Sequence, residues 1–389
     1  MTHDTHLGST SFVSRLTTIG YGAAAVGIAA SLLAAFTDYD RFIFNYLVAF
    51  AFFAGIGITA VFFSALQFLT RSGWSAAVRR IPELMSGFVP VTVLLFIPIA
   101  LSTGQLYHHW VHPEAGDIVL AGKAAWLNVP FFLIRLAIYA LVWVGLYFFI
   151  VGNSFRQDAS SDHVPTKRNW TFSAPAVILY AVTITFAAFD LLMSLYPHWF
   201  STIFGVYYFA ASLVGTVAVT TVVAVLLRKN GLLTHWLTDE RFHDLGKLLF
   251  AFNVFWAYIA FSQYLLIWYA NLPEEIVFFK YRTQHGWEYV SIALVVVHFL
   301  VPFWLLISQS AKKNLNVLMG GAVILLVAHF IDMFWLVMPN YAHDHVPFGW
   351  IEIAPMIAVG GIFLIVLGMQ FKRRSAVPVN DPFLTEAVQ

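Results

Sequence analysis

Ten long apolar stretches leave this chain one environment in which to fold. They lie at 16–36, 42–69, 82–104, 128–151, 173–195, 202–227, 247–271, 287–309, 315–338 and 350–371. About 20 mostly apolar residues are needed to cross a bilayer as a helix. Lipid offers the backbone no hydrogen-bond partner, so each stretch has to satisfy its own amides and carbonyls, as an α-helix does. The alternating strands of a membrane barrel would not give an unbroken run such as VGTVAVTTVVAVLL. Composition agrees: 60% of the residues are hydrophobic and 11% charged, against about a quarter charged in soluble domains. The fold class is therefore all-α and polytopic, in a single integral membrane domain over residues 1–389. The N-terminus, MTHDTHLGSTSFVSRLTTIG, has no basic region followed by a cleavable apolar core, so the first stretch reads as a retained span.

Charge fixes the expected orientation. Of the 21 Lys and Arg residues, Arg135 lies within the fourth stretch, and Arg41, Lys123, Lys280 and Arg282 fall in connections on one side. All the others fall on the opposite side, which makes that side cytoplasmic and places both termini there. The outer connections, QLYHHWVHPEAGD, YPHWFS and PNYAHDHVPFGW, are rich in His and Trp. They suit an extracytoplasmic partner, although Trp also collects at membrane boundaries for its own sake. The connection NSFRQDASSDHVPTKRNW is linker-sized, and the tail after Arg374 reads as loosely ordered. A net charge of +1 suggests no nucleic-acid partner, and the absence of Cys rules out cysteine-held clusters, c-type haem attachment and disulfides. No phosphate loop or zinc pattern is present; HHWVH lacks further ligands.

A weak repeat organises the spans. Arg80-Ile-Pro-Glu83-Leu84 and Arg241-Phe-His-Asp244-Leu245 open the third and seventh helices with the same Arg-x-x-acid-Leu pattern. Asp190 precedes Pro197, and Asp332 precedes Pro339, by the same interval. Two four-helix bundles follow, at 42–195 and 196–338, with residues 1–41 and 339–389 carrying the flanking first and tenth helices.

Ionisable groups within spans cost about 2.5–3.5 kcal/mol each and normally face a partner or water. Arg135, Asp190, His329 and Asp332 fall in outer halves, and His298 nearer the middle. Together they read as one buried polar pocket open to the outer side, in which Asp190 pairs with Arg135 or His329. Plain helix stapling is the competing reading, and the two histidines on consecutive helices would also permit a bis-histidine haem. On the inner side Glu83, Asp244 and Lys247 form a second group with His243 beside them. Asp244, Lys247, Tyr258, Ser262 and Tyr269 fall on one stripe of the seventh helix. Acidic groups at both depths, with Tyr258 and Ser262 between, read as inner and outer half-paths for protons. Snorkelling at the membrane edge explains Lys247 and Glu83 equally well.

The stretches FDLLMSLYPHWFSTIFGVYYF, HDLGKLLFAFNVFWAYIAFSQYLLIWYANLPEE and HFIDMFWLVMP carry a resemblance, clearest over residues 189–339. They resemble the smaller quinone-type membrane subunits of bacterial alternative complex III, the ActF type, within the wider NrfD- or PsrC-like class. The resemblance implies two four-helix bundles flanked by two helices, in the bacterial cytoplasmic membrane. It implies a heteromeric complex with a homologous larger quinone-binding subunit, an iron–sulfur subunit and multihaem cytochrome c subunits. Such a complex oxidises menaquinol or ubiquinol and passes electrons to a cytochrome c, a high-potential iron–sulfur protein or an oxygen reductase. Haem and iron–sulfur clusters are then expected only in the partners, and menaquinone or ubiquinone is the one cofactor this chain would touch. The alternatives are a secondary transporter and a passive scaffold for peripheral cytochromes. The charge asymmetry gives the first testable outcome: a reporter fused after Arg374 reads out as cytoplasmic, and an extracytoplasmic signal would count against this orientation.

Overall fold

The structure, a computed structural model, describes residues 5–388. Ten helices are long and apolar enough to cross a membrane: α1 Ser11–Thr37, α2 Tyr39–Leu69, α3 Ala76–Leu101, α4 Val129–Gln157, α5 Val164–Leu195, α6 Phe204–Lys229, α7 Asp239–Ala270, α8 Trp287–Leu306, α9 Leu315–Asn340 and α10 Trp350–Arg373. No strand occurs among the described residues. The protein is an all-α, multi-pass membrane protein.

Several helices outrun their apolar stretches. α5 starts early enough to include Lys167 and Arg168, and α7 early enough to include Arg241 and Asp244. Charges end a hydropathy window, but they do not end an i to i−4 hydrogen-bond ladder that continues into water. Three spans are irregular. α3 tightens at Ser86–Phe88, just ahead of Pro90, and α4 and α8 widen into π turns at Tyr147–Val151 and Leu294–Leu300. The connection between α3 and α4 carries short helices at Thr103–Leu106, His108–Val111 and Ile118–Lys123.

Helices α2, α3, α4 and α5 contact one another in a closed ring, and α6, α7, α8 and α9 form a second. The rings meet where α2 lies against α6 and α9, and where α5 lies against α6. α2 and α6 are consequently buried around most of their circumference, as expected of helices that are apolar on every side. Tyr208 on α6 donates to the Ala51 carbonyl of α2 at 2.7 Å, and Thr216 to the Ile56 carbonyl at 3.1 Å. α1 packs along α10, and the pair rests on α2 and α3. Small residues set that approach. A Cβ added at Gly27 or Gly361 would overlap the backbone of Ala358 or Ala24, and one at Gly20 would lie 2.9 Å from the Ile365 nitrogen.

The tail after Arg374, expected to be loose, is docked. The Ala376 amide donates to the Thr5 carbonyl at 2.8 Å, Asp381 pairs with Arg79 at 2.5 Å, and Phe383 packs on Trp170. Val377, Leu384 and Ala387 are buried. The tail holds because it brings a carboxylate to a buried arginine and apolar side chains to the open end of the first ring. Both chain ends thus lie at one end of the molecule, the termini end.

Overpacking a tight contact costs about 1–3 kcal/mol. Gly361→Leu is therefore expected to lower the unfolding temperature in detergent and loosen α1. Gly145→Leu, at a position with open space around it, is expected to leave that temperature nearly unchanged.

Candidate functional site

Asp190, near the end of α5 away from the termini, is buried and accepts four hydrogen bonds. Arg135 on α4 grips it bidentately, Nε to Oδ2 at 2.8 Å and Nη2 to Oδ1 at 2.9 Å. Tyr139 donates to Oδ2 at 2.6 Å and the Trp126 indole to Oδ1 at 3.1 Å. The remaining Arg135 nitrogen reaches the Trp126 carbonyl at 2.9 Å, and the guanidinium lies against the Trp126 and Phe131 rings. A carboxylate has about four lone-pair sites, and here all are taken. Asp190 therefore pairs with Arg135 and not with His329, which belongs to the other ring.

Asp332 on α9 is its counterpart in the second ring. It accepts from the Tyr207 hydroxyl on α6 and from the Trp256 indole on α7 at 3.0 Å. Among the described residues it has no cationic partner. Arg282, buried in the α7–α8 connection, donates instead to the carbonyls of Phe278, Trp335 and Leu336 at 2.8–3.1 Å, and so caps the end of α9. The His298 ring, turned inward by the π turn of α8, stacks on Trp256 at 3.6 Å, with Nδ1 facing Asn253 at 3.4 Å. His329 lies one turn before Asp332, against Phe52 of α2 at 4.8 Å. Both rings are fully buried, and His298 Nε2 and both His329 nitrogens have no protein partner. The single pocket expected from the sequence is thus two sites, Arg135 with Asp190 and Asp332 with His298 and His329.

A cavity of about 690 Å³ lies beside the second site, between α7 and α8. Tyr207, Trp256 and Trp335 form its inner wall, Gln263 and Ser291 contribute polar groups, and Tyr258, Phe261 and Ile292 stand exposed at its lipid side. It reaches the two donors that hold Asp332.

At the termini end the expected acidic group is likewise two clusters. Glu83 is fully buried between Arg79 at 3.0 Å and Arg80 at 3.1 Å, and accepts from Ser154 at 2.8 Å. Arg80 continues to Asp158 at 2.7 Å. Asp244 instead pairs with Arg241 at 3.1 Å and Lys247 at 2.7 Å, while His243 faces Glu240 at 3.9 Å. The Arg-x-x-acid repeat yields the same local ion pair on α3 and α7. The expected stripe on α7 is that helix's outward side: Lys247, Tyr258 and Tyr269 are exposed, Ser262 is half-buried, and the buried face carries Leu249, Trp256 and Gln263. Tyr258 and Ser262 therefore do not line an internal route. Among the described residues no group of three or more His, Asp or Glu is placed to hold a metal ion.

Sequence reasoning missed Tyr139, Trp126, Tyr207, Trp256 and Gln263, the partners of the carboxylates and the lining of the cavity. The available signal was Tyr207 and Trp256 on helices beside Asp332, and Tyr139 one turn beyond Arg135; Trp126, in the connection before α4, gave none. It also missed Glu352, buried at the start of α10 and held by Arg41 at 2.7 Å and Asn45 at 3.1 Å. No family model matches the chain, and no curated protein matches it.

Removing one member of a buried ion pair costs about 3–5 kcal/mol, because the other charge is left without compensation. Arg135→Met is expected to destabilise the protein by that order in unfolding measurements in detergent. Asp332→Asn, which strands no cation, is expected to cost clearly less.

Proposed function

We propose that this chain is a quinone-type membrane subunit of a quinol-oxidising electron-transport complex, of the ActF type, in a bacterial cytoplasmic membrane with both termini inside. The observation that supports this reading most is the cavity between α7 and α8. A ligand held there arrives from the lipid, because the mouth is walled by exposed aromatic and aliphatic side chains. Its walls suit a flat ring with an apolar tail and a few polar atoms.

Oxidising a quinol removes two protons and two electrons and leaves the quinone. The protons need acceptors within hydrogen-bond reach, directly or through an intervening group. Tyr207 stands between the cavity and Asp332, so a proton taken from a ring hydroxyl passes to Asp332 as the Tyr207 hydroxyl hands on its own. The unpartnered ring nitrogens of His298 and His329 lie behind it. The electrons leave to a metal centre in a partner. The partners in this reading are an iron–sulfur subunit, multihaem cytochrome c subunits and a homologous larger quinone-binding subunit. Menaquinone or ubiquinone is the ligand. The electrons end on a cytochrome c or a high-potential iron–sulfur protein. The Arg135–Asp190 ring is the rigid half, its carboxylate saturated and its charge compensated.

The test uses the protein purified with whatever accompanies it. Haem and iron–sulfur subunits are expected to co-isolate, and a photoreactive quinone is expected to label α7 or α8. Ala260→Trp fills the cavity and is expected to abolish that label while the complex still assembles. Isolation of the chain alone, together with labelling that ignores the cavity, would sink the proposal.

A further inference from the structure

We propose that the first ring holds an anionic phospholipid at the termini end, its phosphate between Arg71 and Lys167 and beside the Trp170 ring. The site belongs to the opposite ring from the cavity and does not rest on the quinone reading.

The two rings differ in how their cations are matched at this end. In the second ring Arg241 and Lys247 pair with Asp244, Lys313 pairs with Glu240, and Arg228 faces Asp239 at 3.8 Å. Lys229 donates to Asn316 at 2.6 Å. Around the first ring, Arg15, Arg71, Lys167, Arg168 and Arg373 are exposed. None of these five has a carboxylate within ion-pair distance among the described residues, where the acids are spent on the buried Arg79 and Arg80.

Arg71 stands where its backbone favours a different residue. It follows α2 with φ 49°; its amide donates to the Phe68 carbonyl at 3.2 Å, and the Ser72 amide to the Gln67 carbonyl at 3.0 Å. α6 ends in the same way in the second ring. There Gly231 has φ 73°, its amide donates to the Arg228 carbonyl at 3.0 Å, and the Leu232 amide to the Leu227 carbonyl at 2.9 Å. Glycine is the ordinary residue at such a left-handed helix end, because a Cβ is crowded there. The first ring thus carries an arginine side chain at a steric cost that the second ring avoids. The Arg71 guanidinium lies over the Trp170 ring at 4.9 Å. Lys167 is one turn before Trp170 on the same face of α5. Asp162, the acid that acts on Lys167, is bonded to the Ser160 hydroxyl and the Val164 amide, both at 3.0 Å. Glu386 of the tail stands against Gly73.

Two cations without a counter-charge suit a phosphate. The neighbouring side chains show what that phosphate is attached to. Leu69, before Arg71 on α2, and Phe172, beyond Trp170 on α5, are exposed and apolar, and both lie on the membrane side of the two cations. They offer a surface to acyl chains, which a soluble phosphate does not have. Basic sites between spans, just outside the apolar band, hold anionic head groups, and α2 and α5 meet side by side here.

The experiment reads the lipids retained by the purified whole chain in native mass spectra, with phosphatidylglycerol and phosphatidylcholine offered in equal amounts. Each cation beside a head group contributes about fivefold, so the wild-type protein is expected to prefer phosphatidylglycerol by about 25-fold. Arg71→Gly supplies the residue that the backbone favours, so folding is kept, and it is expected to cut the preference to about fivefold. Arg373→Gln removes a cation elsewhere at the termini end and is expected to leave the preference unchanged. No preference in the wild-type protein, no loss in Arg71→Gly, or an equal loss in Arg373→Gln would overturn the site. Displacement of the lipid by inorganic phosphate at the same concentration would overturn the phospholipid as its ligand.

Discussion

The contact between α2 and α6 is the constraint on which the rest of the structure depends. Lipid tails are as apolar as leucine, so burying apolar side chains does not by itself drive helices together in a membrane. What holds the rings together is close packing with directed polar bonds. The α2–α6 seam holds the buried small residues Gly55 and Gly215. A Cβ on Gly55 would meet Ser212 Oγ at 2.5 Å and Tyr208 Oη at 2.9 Å; a Cβ on Gly215 would meet the His329 ring at 2.9 Å. The two glycines therefore set how near the rings stand, and Gly215 makes the room in which His329 sits. A larger residue there would disturb the buried histidines before it touched any exposed surface.

The two aspartates show how one local plan takes two chemical characters. Each accepts from one Trp indole and one Tyr hydroxyl, although Trp126 stands in the connection before α4 and the other three donors stand on helices. They differ in the cation. Arg135 completes the shell of Asp190, whereas the arginine nearest in role in the second ring, Arg282, is spent on the carbonyls at the end of α9. A saturated ion pair in low dielectric is stiff and resists a change of charge. A carboxylate held by two neutral donors, beside histidines with empty nitrogens, can exchange a proton with less rearrangement. The second ring is also where the cavity opens, so the cavity and the uncompensated carboxylate coincide.

Much of this was legible in the sequence, and the limits have a common physical cause. The ten apolar stretches gave the spans, because length and the cost of an unpaired backbone leave no other solution. Depth brings Asp190 level with Arg135, because helix direction follows from the order of the spans, but it leaves His329 as an equal candidate partner. Rotation about each helix axis was hidden. In a membrane the lipid-facing side is as apolar as the packed side, so no polar face marks the outside. That is why Tyr258 and Ser262 looked like an internal stripe although they lie away from the buried face. It is also why Trp256 and Tyr207 passed as grease: an aromatic ring contributes its apolar body to a hydropathy sum while its one polar atom makes the decisive bond. The cavity is lined in part by the π turn at Leu294–Leu300, which no residue in LVVVHFL announces.

The docked tail has a consequence for how the molecule is made. Arg79 and Arg80 stand side by side at the opening of α3, and Glu83, Asp158 and Asp381 surround them. Synthesis delivers Glu83 and Asp158 early, with the first ring. Asp381 follows α10, after every span has left the ribosome. Until then Arg79 lacks one of its two counter-charges, and the end of the first ring is uncovered. Covering of that end is thereby tied to completion of the second ring, and in a chain arrested between α5 and α10 Arg79 would be short of one partner and the apolar end of the first ring would stay open.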